Sequence, residues 1–428
     1  MRTIRVGLIG LGTVGSGVVE ILRLHREDFQ RRAGVDIELA RFADRSPERA
    51  KALDIPAERF TTDAAELIAD PDIDIVIELI GGTGAAHDIV LAALKAGKSV
   101  VTANKALMAS AGREVMDAAA EAGVDIAFEA AVGGGIPIIG PLKHSLVSNE
   151  IDSVMGIVNG TTNYMLTRMA EEGLDYSEAL AEAQQLGYAE ADPTADVDGL
   201  DAAAKIAILA SIAFNSRVTV DQVPTEGIRD ITSEDVAYAE EMGYAIKLLA
   251  LANRVDGSID VRVHPTMIRA EHQLAKVSGV FNAIYVVGDS VGETMFFGQG
   301  AGSLPAASAV VGDVIETARH IQSGCLDLVG CTCSESLAVR DISQLMTSYY
   351  IRMLVADKPG VLAKVAGVLG DHGVSIASVI QKRAWEQGAE IVYVTHDAAE
   401  RDVRSALDRI GGLDVVQRIA SVIRVEDL

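Results

Sequence analysis

Residues Ile4-Arg5-Val6-Gly7-Leu8-Ile9-Gly10-Leu11-Gly12-Thr13-Val14-Gly15 decide the fold. The run from Ile4 to Ile9 is apolar enough for a buried strand and stops at a glycine. Beyond it, Val14, Val18, Ile21 and Leu22 recur at helical spacing. Between strand and helix lies G-x-G-x-x-G, in the context that gives this pattern meaning. The first glycine permits the tight turn, the second lets backbone approach a pyrophosphate, and the third lets helix and strand pack closely. Phosphate charge would then sit at a helix N-terminus, where free N–H groups point outward. Gly10, Gly12, Thr13, Val14 and Gly15 are therefore the expected contacts to a dinucleotide.

Working outward, residues 36–43 read as a second strand ending in Ala43-Asp44-Arg45-Ser46. Asp44 could accept from a ribose diol and favour NAD; Arg45 could pair with a 2′-phosphate and favour NADP. Asp44 falls later than the roughly 20 residues usual after the fingerprint, an excess assigned to the polar stretch from Leu24 to Gly34. Strands at 73–80, KSVVTA and DIAFEA alternate with helices at 86–96 and 105–122, implying a parallel, doubly wound sheet of the Rossmann type.

The pattern changes after GGGIPIIGPL. IDSVMGIVNG reads as a strand leading into a polar turn, followed by helices near 177–187 and 199–213 and strands at 259–268 and 281–288. The tail changes again: YYIRMLVAD, PGVLAKVAGVLGDHG, SIASVIQKRAW, EIVYVTHDA, ERDVRSALDRI and VVQRIASVIRV follow one another as βαββαβ, the ferredoxin-like unit. The expected fold class is α/β throughout. A dinucleotide-binding domain spans 1–135, with 301–320 packing back on it. A second α/β domain spans 136–300 (the family resemblance given below implies catalysis and dimerisation there), a connector 321–347, and a ferredoxin-like domain 348–428. That last domain is expected to be separable by truncation near residue 345.

Composition narrows the function. With 37 basic and 61 acidic side chains the net charge is −24, which repels nucleic acid and anionic lipid. No apolar run reaches a membrane span. The three cysteines, Cys325, Cys331 and Cys333, are too few for a disulfide framework and point to a reducing, cytoplasmic setting. A zinc site would need a fourth ligand at suitable spacing.

Two lysine-containing segments carry the chemistry. Val101-Thr102-Ala103-Asn104-Lys105 lies at the C-terminal end of a strand, the edge where open parallel sheets bind ligands. Gly187-Tyr188-Ala189-Glu190-Ala191-Asp192-Pro193 precedes Asp196, Asp201 and Lys205. Asp201 and Lys205 are four apart on a helix and share a face with apolar neighbours. A lysine on such a face gives up its proton more readily than an exposed one, and a carboxylate orients it. The surrounding acids suit a substrate with a cationic amine.

With these motifs the chain resembles homoserine dehydrogenase of the long, monofunctional type. The likeness includes Glu129-Ala130-Ala131-Val132-Gly133-Gly134-Gly135-Ile136-Pro137, Gly156-Ile157-Val158-Asn159-Gly160-Thr161-Thr162-Asn163-Tyr164, Val263-His264-Pro265-Thr266 and Gly300-Ala301-Gly302-Ser303-Leu304-Pro305. Asp357-Lys358-Pro359-Gly360-Val361-Leu362 resembles the first loop of an ACT regulatory domain. The resemblance implies interconversion of L-homoserine and L-aspartate 4-semialdehyde with NADP or NAD, in threonine and methionine biosynthesis. It implies Lys205 as general acid/base held by Asp201, with Lys105 beside substrate and nicotinamide. Glu190 and Asp196 would bind the amino group, and Gly160, Thr161 and Tyr188 would line the pocket. Thr83 and Gly302 would approach the nicotinamide. Glu129 and backbone carbonyls at Val132, Gly134 and Ile136 would hold a structural sodium ion. A homodimer or larger homo-oligomer and feedback by L-threonine are further implications.

Rival readings fare worse. An aldehyde dehydrogenase with a cysteine nucleophile needs a thiol in the catalytic part, and none precedes Cys325. His264, before Pro265 in an apolar strand, reads as structural rather than catalytic. A nucleotide-dependent amino-acid sensor without catalysis has no use for Lys105, Asp201 and Lys205.

Overall fold

The computed structural model describes residues 2–326, 330–385 and 388–426; part of the 321–347 connector, residues 327–329, lies outside them. The chain forms two compact units. Unit 1 comprises residues 1–154, 204–222 and 281–337; unit 2 comprises 155–203, 223–280 and 338–428.

Unit 1 is built on six parallel strands: β1 (Thr3–Ile9), β2 (Asp36–Ala43), β3 (Phe60–Thr61), β4 (Ile75–Glu78), β5 (Ser99–Thr102) and β6 (Ile126–Ala127). Their order is β3-β2-β1-β4-β5-β6, the Rossmann arrangement, whose order reverses between β1 and β4. Register brings Ile9 opposite Glu78 and Glu78 opposite Thr102, so the three strands end level at one edge. Ile4, Val6, Leu8, Ile75, Ile77 and Val101 are buried in one core. The polar stretch after Leu24 continues the first helix, which runs from Thr13 to Ala33 and stops at Gly34 in the left-handed region. That is why Asp44 comes late. Helix Ser303–Ser323 packs on this first helix at Gly17, where a Cβ would stand 2.8 Å from the Ser303 carbonyl and 2.9 Å from Ala307 Cβ. Val310, Val311 and Val314 join Val18 and Val19 in the core.

DIAFEA keeps only two residues of strand before a 3-10 turn at Glu129–Ala131. The Glu129 carboxylate draws the chain back, accepting the N–H groups of Ile138, Ile139 and Gly140 at 2.6–2.8 Å.

Unit 2 contains a continuous sheet. Tyr244–Val255 pairs antiparallel with Ser258–Arg269. Ser258–Arg269 pairs parallel with Val416–Glu426, Arg424 standing opposite Thr266. Val416–Glu426 lies antiparallel to Met346–Val355, which continues to Gly388–Thr395 and then Ile376–Trp385. The last four strands, with helices Val361–Asp371 and Glu400–Gly411, form the ferredoxin-like ACT fold and have their own core, in which Val365, Leu369, Val403 and Ile410 pack on Ile351 and Met353.

A cut near residue 345 would therefore run through one continuous sheet. The seam is ionic as well as hydrogen-bonded. Arg352 reaches Asp235 at 2.7 Å and Glu390 at 2.8 Å. Arg424 reaches Glu226 and Glu400, each at 2.7 Å. Removing residues 346–426 would leave Asp235, fully buried here, without its guanidinium. It would also open the edge of strand Ser258–Arg269.

Candidate active site

In unit 1 the nucleotide-binding turn has the geometry its glycines require. Gly10 sits at φ +101°, and a Cβ there would meet the Leu79 carbonyl oxygen at 2.7 Å. A Cβ on Gly15 would stand 2.0 Å from the Gly10 carbonyl oxygen. Gly12 has no heavy atom within 4 Å of its Cβ position, so a phosphate can approach the backbone. The first turn of the helix, with Thr13, Val14 and Gly15, carries no acidic side chain to oppose it. These residues fit a dinucleotide.

Asp44 is buried at the end of β2 and turned into that loop. Its Oδ2 accepts the Leu11 N–H at 2.6 Å and its Oδ1 the Ser46 N–H at 2.8 Å. Burial pushes this carboxyl up, but those two N–H groups and the Arg49 guanidinium outweigh it, leaving the group below the usual carboxylate range. Arg45 is exposed, as is Arg49, which lies 3.3 Å from Asp44. Arg49 had no role in the sequence reading.

The loops after β4 and β5 are braced by a buried carboxylate that the sequence reading also missed. Glu78 Oε2 accepts from Thr102 Oγ1 at 2.7 Å and Asn104 Nδ2 at 3.5 Å, and its Oε1 accepts the Ile80 N–H at 2.8 Å. Asn104 also donates to the Gly82 carbonyl at 2.7 Å and caps the following helix by accepting the Leu107 N–H. Thr83 is exposed on the loop after β4, and Lys105 is the first residue of the helix that Asn104 caps. Gly302 adopts φ +122° before the helix Ser303–Ser323, and Ser303 Oγ donates to the Thr13 carbonyl at 2.6 Å. The proposed cation ligands follow Glu129. The N–H of Glu129 is held by Asp313 at 2.8 Å, a carboxyl that burial pushes well up. Gly134 lies at φ +56°, and a Cβ there would meet the Gly300 carbonyl oxygen at 2.4 Å, so both conformation and space call for glycine.

In unit 2 residues distant in sequence converge. Asn159 caps the helix Gly160–Glu172 through its Oδ1, which accepts the Thr162 N–H. Its Nδ2 then donates to Asp196 at 2.7 Å and to Asp201 at 2.9 Å. Thr161 Oγ1 donates to the Tyr188 carbonyl at 2.7 Å, and the Tyr188 ring lies 4.9 Å from that of Tyr164. Gly160, Thr161, Tyr188, Asp196 and Asp201 thus belong to one connected structure. Glu190 is exposed on the turn after helix Tyr176–Gln185, and its carboxylate is not joined to the Asn159 cluster. Lys205, which falls in unit 1, is buried on the helix Leu200–Ala213, four residues after Asp201. His264 is fully buried, receives the Arg262 Nε–H at 3.1 Å and contacts Thr266 Oγ1 at 3.0 Å. Burial first, then the Arg424 and Arg262 charges, push its pKa well down, as a structural imidazole.

A Rossmann sheet with this fingerprint defines a dinucleotide-binding protein. Family models match residues 10–129 as the homoserine dehydrogenase NAD-binding domain, 137–315 as homoserine dehydrogenase and 349–414 as an ACT domain. Homoserine dehydrogenase of Synechocystis sp. is 50% identical, aligned over 99% of each chain. That of Bacillus subtilis is 43% identical over 100% of this chain and 99% of its own. A crystal structure of a homoserine dehydrogenase from Thiobacillus denitrificans superposes with a TM-score of 0.95 at 44% identity, covering 100% of this chain and 99% of that one. The chain belongs to the homoserine dehydrogenase family of NAD(P)-dependent oxidoreductases, with a C-terminal ACT domain. A hyperthermophilic archaeal homoserine dehydrogenase solved in complex with NADPH covers 74% of this chain and 98% of its own, with a TM-score of 0.64 and 29% identity. Among the described residues no helix is long and apolar enough to cross a membrane.

Proposed function

We propose that Lys205 exchanges the proton at the C4 oxygen as L-homoserine and L-aspartate 4-semialdehyde interconvert, with Asp201 orienting it and Lys105 assisting. The bound nicotinamide coenzyme supplies or accepts the hydride. Asp196 and Glu190 receive the substrate ammonium, while Gly160, Thr161 and Tyr188 shape its pocket. The observation that carries this reading is the Asn159 node: one amide holds Asp196 and Asp201 at 2.7 and 2.9 Å. The ammonium-binding acid and the lysine-orienting acid therefore share one rigid brace. Positioned proton transfer contributes about 10²–10⁴ in rate, so Lys205→Ala should lower kcat by that factor with little change in coenzyme KM. A folded variant with near-wild-type kcat removes Lys205 from the mechanism.

NADP is the coenzyme favoured by the end of β2. Both Asp44 oxygens already accept backbone N–H groups, whereas the exposed Arg45 and Arg49 offer charge to a 2′-phosphate. Parallel kinetics with NADP and NAD test this, and a lower KM for NAD reverses it. The carbonyls of Val132, Gly134 and Ile136 with Glu129 would supply an all-oxygen donor set of the kind that suits a hard cation such as sodium. Glu129 Oε1 accepts the Ile138 and Ile139 N–H groups and Oε2 that of Gly140, which leaves Oε2 acceptor capacity. Replacing sodium by a large organic cation should reduce thermal stability if the ion is structural. For the dimer, strand Gly292–Gln299 exposes Met295 and Phe297, with Phe281 stacked on Phe297 at 5.1 Å. Such an edge is a template for pairing with a second copy. Light scattering that reports a monomer at micromolar concentration removes that proposal. L-threonine is the proposed effector of the ACT domain, and indifference to millimolar threonine removes it. The three free cysteines fit a reducing cytoplasm.

A further inference from the structure

Lys247 is a buried lysine that the reaction does not use. It lies on strand Tyr244–Val255 and is 6% exposed. Its ammonium donates to the Val277 carbonyl at 2.6 Å and to Asn163 Oδ1 at 3.3 Å. Burial pulls its pKa down to about 8, and Glu171 pushes weakly the other way. A lysine buried in this way must have its ammonium donors satisfied, and here both partners lie on other segments of the chain.

What it holds is a strap, residues 277–280, laid over the first turns of helix Gly160–Glu172. Asn163 Nδ2 donates to the carbonyls of Val277 and Gly279, at 3.3 and 3.0 Å. The Gly279 N–H donates to Thr167 Oγ1 at 3.1 Å, and that hydroxyl donates in turn to the Asn163 carbonyl at 2.7 Å. The strap ends with the Val280 carbonyl against Gly160, so close that a Cβ there would stand 2.8 Å from the oxygen. Gly160 and Thr161 open the helix, and Asn159, immediately before them, braces Asp196 and Asp201. Thr161 is pinned to Tyr188 on its other side.

We infer that Lys247 is a positioning residue for substrate: through Asn163 and the 277–280 strap it fixes the Gly160–Thr161 turn against which homoserine binds. The inference rests on the substrate-pocket reading of that turn given above. Lys247 touches neither the coenzyme loop nor the Asp201–Lys205 pair through these bonds, so its loss should act on substrate binding rather than on chemistry.

Lys247→Met keeps the stem and removes the ammonium. It should raise the homoserine KM by about five-fold or more, the scale of one lost hydrogen bond. Its kcat should stay within about two-fold and its coenzyme KM unchanged, as for loss of uniform binding. Thr167→Val, which removes the strap's other anchor and leaves Lys247 in place, should shift the same quantity and serves if the methionine variant does not fold. A folded variant of either kind with wild-type homoserine KM overturns the inference. So does a parallel change in kcat and both KM values with a lowered Tm, the signature of general loosening. Thr161→Val separates this from the reading beneath it. If Thr161→Val raises the homoserine KM and Lys247→Met does not, only the strap inference falls. If Thr161→Val leaves the homoserine KM unchanged, the pocket reading fails and the strap inference with it.

Discussion

The two sheets of this enzyme are held in opposite ways. Beneath the nucleotide-binding edge, β1 and β4 pack Ile4, Val6, Leu8, Ile75 and Ile77 into an apolar interior, with the buried charges Asp44, Glu78 and Lys98 confined to the strand ends. At the seam that joins the ACT strands to Ser258–Arg269, the buried side chains include Arg352, Asp235, Glu390, Arg424 and Glu400. Apolar burial is non-directional and tolerates exchange among similar shapes. A buried ionic cluster gains little net stability over an apolar one, yet removing one member leaves the others without a partner. The first region is therefore robust to small changes. The second is brittle, and specifies a single docking of the ACT fold.

The largest effect expected of this contrast is at Arg352. Arg352→Met strands Asp235 and Glu390 and should cost about 3–5 kcal/mol, read by chemical denaturation, with coenzyme affinity in the surviving folded fraction unchanged. Replacing Asp235, Arg352 and Glu390 together by apolar residues of similar volume should recover most of that loss. If the triple variant is no more stable than the single one, the seam is not brittle for the reason given. In the apolar sheet, Ile77→Val should cost only about 0.5–1.5 kcal/mol; a loss as large as that at Arg352 would erase the distinction.

Acid should find the seam before the nucleotide sheet. Burial pushes the Glu400 carboxyl up, but hydrogen bonds and charge from Arg424, with help from Tyr349 and Arg404, hold it below its ordinary 4.5. Glu390 is likewise held down against its burial by Arg352 and Tyr238. A carboxyl lowered on folding stabilises fully above its unfolded pKa and loses that contribution as pH falls through the folded value. Wild-type Tm should fall on acidification below about pH 4.5 more steeply than that of Glu400→Gln; equal slopes contradict the assignment. The smallest effect belongs to the ACT surface. Asp414 pairs with Lys364 at 2.7 Å, but both are exposed. Asp414→Asn should leave Tm unchanged, since solvent screens such pairs.

The sequence made the nucleotide sheet legible because each part of it is local. Glycine spacing, the apolar runs of β1 and β4 and the helix at Lys105 all follow from short-range pattern. The helix Gly160–Glu172 was read only as a polar turn. Thr161 through Thr167 are all buried, so it has no polar stripe to reveal its period. The polar run up to Ala33 is an exposed extension of the first helix, beyond the apolar spacing that marks its start. The brace made by Glu78 and the cluster gathered by Asn159 were not legible, because their partners are reached across the fold.

By itself, then, the sequence determined the alternation of strands and helices, the dinucleotide turn, the βαββαβ tail and the motifs that mark the family. Periodicity and glycine placement are properties of neighbouring residues, so a linear reading reaches them. Tertiary structure alone decided that Asn159 would gather Asp196 and Asp201, that Lys247 would clamp a strap beside Gly160, and that the ACT strands would extend a sheet begun near Tyr244. Those are hydrogen bonds and ion pairs between residues far apart in the chain. Their energy depends on distance and burial, and neither quantity exists until the chain has folded.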